Sequence, residues 1–178
     1  EFIKQYDLSA LKNQFLAGER CDNATIEWYQ QHIPIPVIDH WWQTESGWPM
    51  VANSLGIEQM LVKPGSATKA VCGYDIRIFN ENGEELNANE EGLVVVKLPL
   101  PPGNMLGIWE NETRFKASYF SKFDGYYLSG DGGYKDEDGY VFITGRTDDV
   151  INVAGHRLST AEMEEIVASH QSVAECAV

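Results

Sequence analysis

The pattern that most limits how this chain can fold lies between residues 14 and 38. Residues 14–17 (Gln-Phe-Leu-Ala) have the texture of a short strand and break at Gly18-Glu19. Asp22 or Asn23 can cap a helix over residues 24–31, since a short polar side chain accepts from the first free backbone N–H groups. Pro34 and Pro36 end that helix, and Pro34-Ile35-Pro36-Val37-Ile38 opens a buried strand. Strand, helix and strand within about 30 residues make a βαβ unit with parallel strands. Gly18-Glu19 and residues 42–45 then meet at one sheet edge, the edge at which open α/β sheets bind ligands.

That edge carries Asp39-His40-Trp41-Trp42-Gln43-Thr44-Glu45-Ser46-Gly47. A buried strand would continue in Val and Ile, and a solvated loop does not call for two adjacent indoles. The stretch is either a ligand-binding edge or a strand end with core tryptophans and an ordinary turn. From Lys63 the texture changes. Residues 71–79 alternate, Asn82-Gly83 is a turn, residues 92–98 are β-rich, and Pro99, Pro101 and Pro102-Gly103 break the run. Residues 126–128, 133–135 and 140–144 read as short strands joined by Gly-Asp and Asp-Gly turns, as in a small antiparallel barrel or sandwich. Ser159-Thr160-Ala161-Glu162 has the form of a capping box, and Met163, Ile166, Val167 and His170 fall on one face of the helix it starts. One helix and one strand cannot bury a core, so this last piece is expected to belong to a larger domain. The expected class is α/β: the end of a parallel α/β sheet (1–62), a small antiparallel β-barrel subdomain (63–147), and the start of an α+β C-terminal domain (148–178).

The net charge of −14, from 13 basic and 27 acidic residues, argues against a broad phosphate-backbone footprint, so no nucleic-acid partner is expected. A small anion can still be held by placed arginines and helix N-termini. No apolar run reaches the ~20 residues of a membrane span, and the opening residues lack a signal-peptide core. Cys21, Cys72 and Cys176 are odd in number and in no CxxC spacing. They are expected as buried free thiols in a reducing compartment, not as a disulfide or zinc framework.

Tyr127-Leu128-Ser129-Gly130-Asp131-Gly132-Gly133 sets one carboxylate among glycines. It can accept from two vicinal hydroxyls, as in a ribose, or simply be a turn residue. Asp136-Glu137-Asp138-Gly139 is a hairpin turn and not a calcium loop, because Tyr134 stands where an oxygen ligand is required. Arg146 and Arg157 can fork onto anionic oxygens or pair with surface carboxylates.

Taken together, Asp39-His40-Trp41-Trp42-Gln43-Thr44-Glu45, Tyr127-Leu128-Ser129-Gly130-Asp131 and the run from Gly145-Arg146-Thr147-Asp148-Asp149 to Gly155-His156-Arg157-Leu158 resemble the adenylate-forming (ANL) superfamily, in its short-chain acetyl- and propionyl-CoA synthetase branch. The resemblance implies ATP, Mg²⁺ and coenzyme A: a carboxylic acid and ATP give an acyl-adenylate, and the CoA thiol then displaces AMP. It implies that Gly18, Glu19 and Arg20 lie along the adenine, that Trp42 caps the acyl pocket, that Thr44 bonds the α-phosphate and that Glu45 holds Mg²⁺. Asp39, His40, Trp41 and Gln43 fall in the same nucleotide-binding stretch. Asp131 and Arg146 would take the ribose, and Arg157 the phosphate or the CoA side. Asp148 would be the hinge, Ala154 and Gly155 would line the CoA path, and Ala168, His170 and Val173 match a secondary cation site. Arg20 and Ala154 lean toward propionate over acetate, with the mitochondrial matrix favoured over the cytoplasm. The partners implied are small molecules, with no nucleic acid and no membrane. The family's phosphate loop would precede Glu1 and its catalytic lysine would follow Val178, so this stretch alone is expected not to adenylate. The alternatives are a non-catalytic adenylate-binding module and, more remotely, a β-rich carbohydrate binder.

Overall fold

Val37 and Ile38, 2% and 1% exposed, anchor the strand on which the first layer is built. In the computed structural model, which describes residues 3–18, 23–33, 35–153, 156–170, 172–173 and 176–178, this strand is β2 (Val37–Trp41). β1 (Gln14–Leu16) runs parallel to it, with Gln14 opposite Val37 and Leu16 opposite Asp39. The crossover is α1 (Asn23–His32), whose Ile26 is buried. The expected βαβ unit is therefore present. The strand runs through Trp41, so the first indole belongs to the sheet and only the second opens the loop. β3 (Val51–Ala52) and β4 (Lys69–Ala70) extend the layer antiparallel, in the order β1-β2-β3-β4.

A second sheet holds β5 (Ile76–Phe79), β6 (Gly92–Lys97), β7 (Tyr126–Lys135) and β8 (Val141–Arg146), each antiparallel to the next. Val94, Val95 and Val96 of β6 are all 0% exposed, so both faces of that strand are covered. One apolar cluster spans the two sheets, joining Met50 and Val51 to Ile76, Ile78, Val94, Val96, Tyr127 and Val141. Backbone bonds tie the sheets too: Ala67 N–H donates to Val141 O (3.2 Å) and Val141 N–H to Thr68 O (2.8 Å). The expected barrel is instead an open four-stranded sheet. Outside the named strands it is bridged only by Thr68–Val141 and Phe79–Glu85 among the described residues, which is too little pairing to close a cylinder.

Two further expectations change. Residues 126–128 and 133–135 form one continuous β7, because Asp131 and Gly132 between them pair with β8 ahead of a register shift at Gly132/Gly133. α2 (Glu112–Tyr119) has no counterpart in the sequence reading; Asn111 Oδ1 caps it, accepting from Arg114 N–H at 3.0 Å. The acidic turn after β7 is a hairpin turn as expected, with Gly139 N–H donating to Asp136 O and Lys63 paired to Asp136 and Asp138.

The chain continues as β9 (Val150–Val153), β10 (His156–Ser159), antiparallel to it, and α3 (Thr160–Ala168). His170 lies past the end of this helix and is exposed, as are Ile166 and Val167 at 72% and 44%. No described element covers that face, so His170, expected on it, is a surface residue. Cys72 is exposed and Cys176 half-buried, both free, in place of the buried thiols expected; Cys21 lies outside the described residues. No helix among the described residues is long and apolar enough to cross a membrane.

Candidate functional site

β2 leaves the first sheet beside the middle of β7, and Asp131 is where they meet. Its Oδ2 accepts from the Trp41 indole N–H (3.1 Å) and from Gln43 Nε2 (2.7 Å). Gln43 Nε2 also donates to Ser129 O at 2.8 Å, and its Oε1 accepts from the Tyr127 hydroxyl at 2.8 Å. Asp131 Oδ1 faces Arg146 Nη1 at 3.6 Å. The acid is 6% exposed, yet its two oxygens are held by neighbours on three sides.

Glycine is needed next to it. Gly130 has φ +78°, and a Cβ there would lie 2.8 Å from Arg146 Nη2. The absent side chain lets the guanidinium lie across the backbone, where Nη1 donates to Ser129 O at 3.2 Å. Thr147 closes the arrangement, its N–H and Oγ1 both within 3.0 Å of Gly130 O. On its outer side Arg146 forks onto Asp148, Nε to Oδ1 at 2.9 Å and Nη2 to Oδ2 at 3.3 Å. The expected hinge residue and the expected ribose ligand are therefore paired.

At the loop after β2, Glu45 Oε1 accepts from the Tyr119 hydroxyl at 2.9 Å, and Glu45 O from Met105 N–H at 2.7 Å. Burial first, and then the Glu45 carboxylate, hold the Tyr119 phenol above its usual range, so it is a donor at neutral pH. Burial dominates at Tyr127 too. Tyr119 was not singled out from sequence, and Tyr127 stood there only as the first residue of the Gly-Asp motif, although each donates a hydrogen bond in the pattern here.

These groups surround one cavity of about 720 Å³, a size usual for small-molecule sites. Gly18, Asp39, His40, Trp41, Trp42, Gln43, Thr44, Glu45, Asp131, Arg146 and Ala168 all line it. The two loops expected at one sheet edge, the later acid and the later guanidinium are brought together. Trp42 is 44% exposed and open to the cavity, whereas Trp41 is 9% exposed and committed to Asp131. His40 Nδ1 is buried with no hydrogen-bond partner among the described residues. Glu19, Arg20, Ala154 and Gly155 lie outside the described residues, as does the side chain of Arg157. His170 and Val173 share a turn, with Val173 N–H donating to His170 O at 2.9 Å, but they do not line the cavity. No group of three or more His, Cys, Asp or Glu converges on a metal position among the described residues. Asp39, Glu45, Asp131, Asp149 and Glu164 line the cavity against Arg146 as the one full cation among the described lining residues. Such walls repel a bare polyanion, and their oxygen donors suit a hard cation such as Mg²⁺.

Burial raises the Asp131 pKa to about 6, against the opposing pull of Arg146, Trp41 and Gln43. Only the ionised acid offers both oxygens as acceptors. The affinity for a ligand whose vicinal hydroxyls donate to Asp131 is expected to hold above pH 6 and to fall as the pH drops through about 6, approaching tenfold per unit below it. The same raised value makes this group's contribution to the stability of the nucleotide-free fold decline as pH rises from about 4 to about 6. Calorimetric titration of AMP between pH 5 and 8 measures the first trend, and denaturant unfolding without nucleotide measures the second.

The profile of the family described as AMP-binding enzyme matches residues 1–109. The chain is 51% identical over 176 residues to the mouse (Mus musculus) acyl-CoA synthetase short-chain family member 3, mitochondrial, covering 98% of this chain and 26% of that protein. It is 48% identical over 178 residues to the propionate–CoA ligase of Escherichia coli K12, covering 99% of this chain and 28% of that one. Among solved structures, an anthranilate CoA ligase in complex with anthranoyl-AMP superimposes with a TM-score of 0.80 at 29% identity, over 98% of this chain and 32% of that one. The chain thus spans 26–28% of the length of these two curated relatives. With its motifs, its fold and a matched span of this extent in agreement, the chain belongs to the AMP-binding enzyme family, within the adenylate-forming superfamily.

Proposed function

We propose that the full-length protein is an AMP-forming short-chain acyl-CoA synthetase, with propionate favoured over acetate. The observation that carries this reading is the single cavity onto which Thr44, Trp42, Asp131 and Arg146 all open. Asp131 and Arg146 hold the ribose hydroxyls; Thr44, exposed at the loop, bonds the α-phosphate; Trp42 caps the acyl group and limits its length by steric exclusion. Glu45 and the nucleotide oxygens would hold Mg²⁺, which supplies neutralisation of phosphate charge. An acid oxygen attacks the α-phosphorus and pyrophosphate leaves; the CoA sulfur then attacks the acyl carbon and AMP leaves with the bonding pair. Residues 1–147 form the end of the nucleotide-binding domain and residues 148–178 the hinge and the beginning of the small one. The mouse relative's name places that protein in mitochondria, and the same compartment is favoured here.

The test is thioester formation by the full-length protein with propionate, acetate and butyrate, following AMP release. Propionate is expected to give the highest kcat/KM. If none of the three acids releases AMP in the presence of ATP and CoA, the proposal fails.

A further inference from the structure

We infer that Tyr119 is a positioning residue for Glu45, and that Tyr119, Tyr127 and Gln43 form one bracket fixing Glu45 and Asp131 relative to each other across the cavity. Glu45 and Tyr119 are separated by 74 residues, and the 2.9 Å hydrogen bond between them brings α2 onto the loop after β2. The segment leading into α2 grips the same glutamate a second time, through Met105 N–H to its carbonyl (2.7 Å). The Tyr119 ring stacks on Tyr127 with centroids 5.5 Å apart and planes 9° from parallel. Tyr127, 4% exposed, donates to Gln43 Oε1 at 2.8 Å, and Gln43 donates to Asp131 at 2.7 Å. Each hydroxyl serves one end: that of Tyr119 holds Glu45, and that of Tyr127 holds Gln43 and through it Asp131, while the ring stack joins the two. α2 has no buried residue of its own and meets β7 through the stack of Tyr119 on Tyr127. A glutamate has three rotatable bonds, and one already held by a phenol loses little freedom when a cation arrives.

The inference rests on the reading that Glu45 faces the Mg²⁺ of the nucleotide. It is tested on the full-length protein by calorimetry of ATP binding over a series of Mg²⁺ concentrations, and of AMP binding in EDTA. Tyr119→Phe keeps the ring stack and removes only the hydroxyl. The Mg²⁺ concentration for half-maximal ATP binding is expected to rise about tenfold, with metal-free AMP affinity unchanged within about twofold. Tyr127→Phe cuts the bracket on the other side, at Gln43, and should weaken AMP in EDTA while leaving the Mg²⁺ midpoint in place. An unshifted midpoint in Tyr119→Phe, alongside a raised one in Glu45→Gln, overturns the positioning role and leaves the metal reading intact. An unshifted midpoint in Glu45→Gln overturns both. Equal losses of ATP and AMP binding in Tyr119→Phe mean general loosening and also overturn it.

Discussion

Replacing Asp131 by alanine in the full-length protein is expected to weaken AMP binding by roughly two to four orders of magnitude while changing the stability of the nucleotide-free fold by only about 1 kcal/mol. The binding loss follows from two hydroxyl hydrogen bonds to a carboxylate, each worth about 1.5–3 kcal/mol, against about 1.4 kcal/mol per tenfold change. The small effect on folding comes from opposed contributions. Removing the acid strips the Trp41 indole and Gln43 amide of their acceptor. At neutral pH it also removes a buried charge whose pKa burial lifts to about 6, a charge that the empty fold holds at a cost. Asp131→Asn separates the two effects, since the amide keeps one acceptor oxygen for Trp41 without the charge. Calorimetry with AMP and urea unfolding of the same samples provide both numbers. If alanine leaves AMP affinity unchanged and lowers stability by several kcal/mol, Asp131 is a brace for Trp41 and has no part in recognition.

The parts of this molecule that were legible in its sequence are those specified by neighbours in the chain. The apolar pair Val37-Ile38 after prolines, and the short helix before it, were enough to place β1 and β2 parallel and to bring Gly18 to the Thr44 edge. Asp131 and Arg146 stood out because glycines flank one and acidic residues surround the other. What stayed hidden depends on distance. α2 buries no residue, so it leaves no periodic apolar stripe. Its Tyr119 acquires meaning only by meeting Glu45 and Tyr127 across the fold. Ser129-Gly130-Asp131-Gly132-Gly133 reads as a turn because Gly130 does take a turn-like φ, yet the strand continues through it on pairing supplied by β8. Likewise, alternation is the same for a strand in a closed barrel and one in an open sheet. Closure depends on what the edge strands meet, and a local pattern does not contain that.

Gly133→Ala is expected to destabilise the fold by about 3 kcal/mol. A Cβ at Gly133 would stand 2.4 Å from the Phe142 carbonyl oxygen and 3.0 Å from Val94 Cγ2. The first contact is with backbone of the paired strand, so relief requires parting β7 from β8 beside the register shift. The second is with a valine that is 0% exposed, whose displacement propagates into the shared core. Gly130→Ala, three residues earlier, is the instructive contrast. Its added methyl meets only the far end of Arg146, which can swing outward on a flexible stem, and the left-handed backbone adds about 1–2 kcal/mol of strain. Gly130→Ala should therefore lose nucleotide affinity with a modest drop in stability. Gly133→Ala should lose stability first, and affinity only as far as Asp131 is dragged from Trp41. Thermal unfolding and AMP titration of both variants, in the full-length protein, test the order. A Gly133→Ala protein as stable as its parent would mean that the close approach of β7 and β8 at Phe142 is not a constraint on this sheet, and that the glycine there serves the cavity instead.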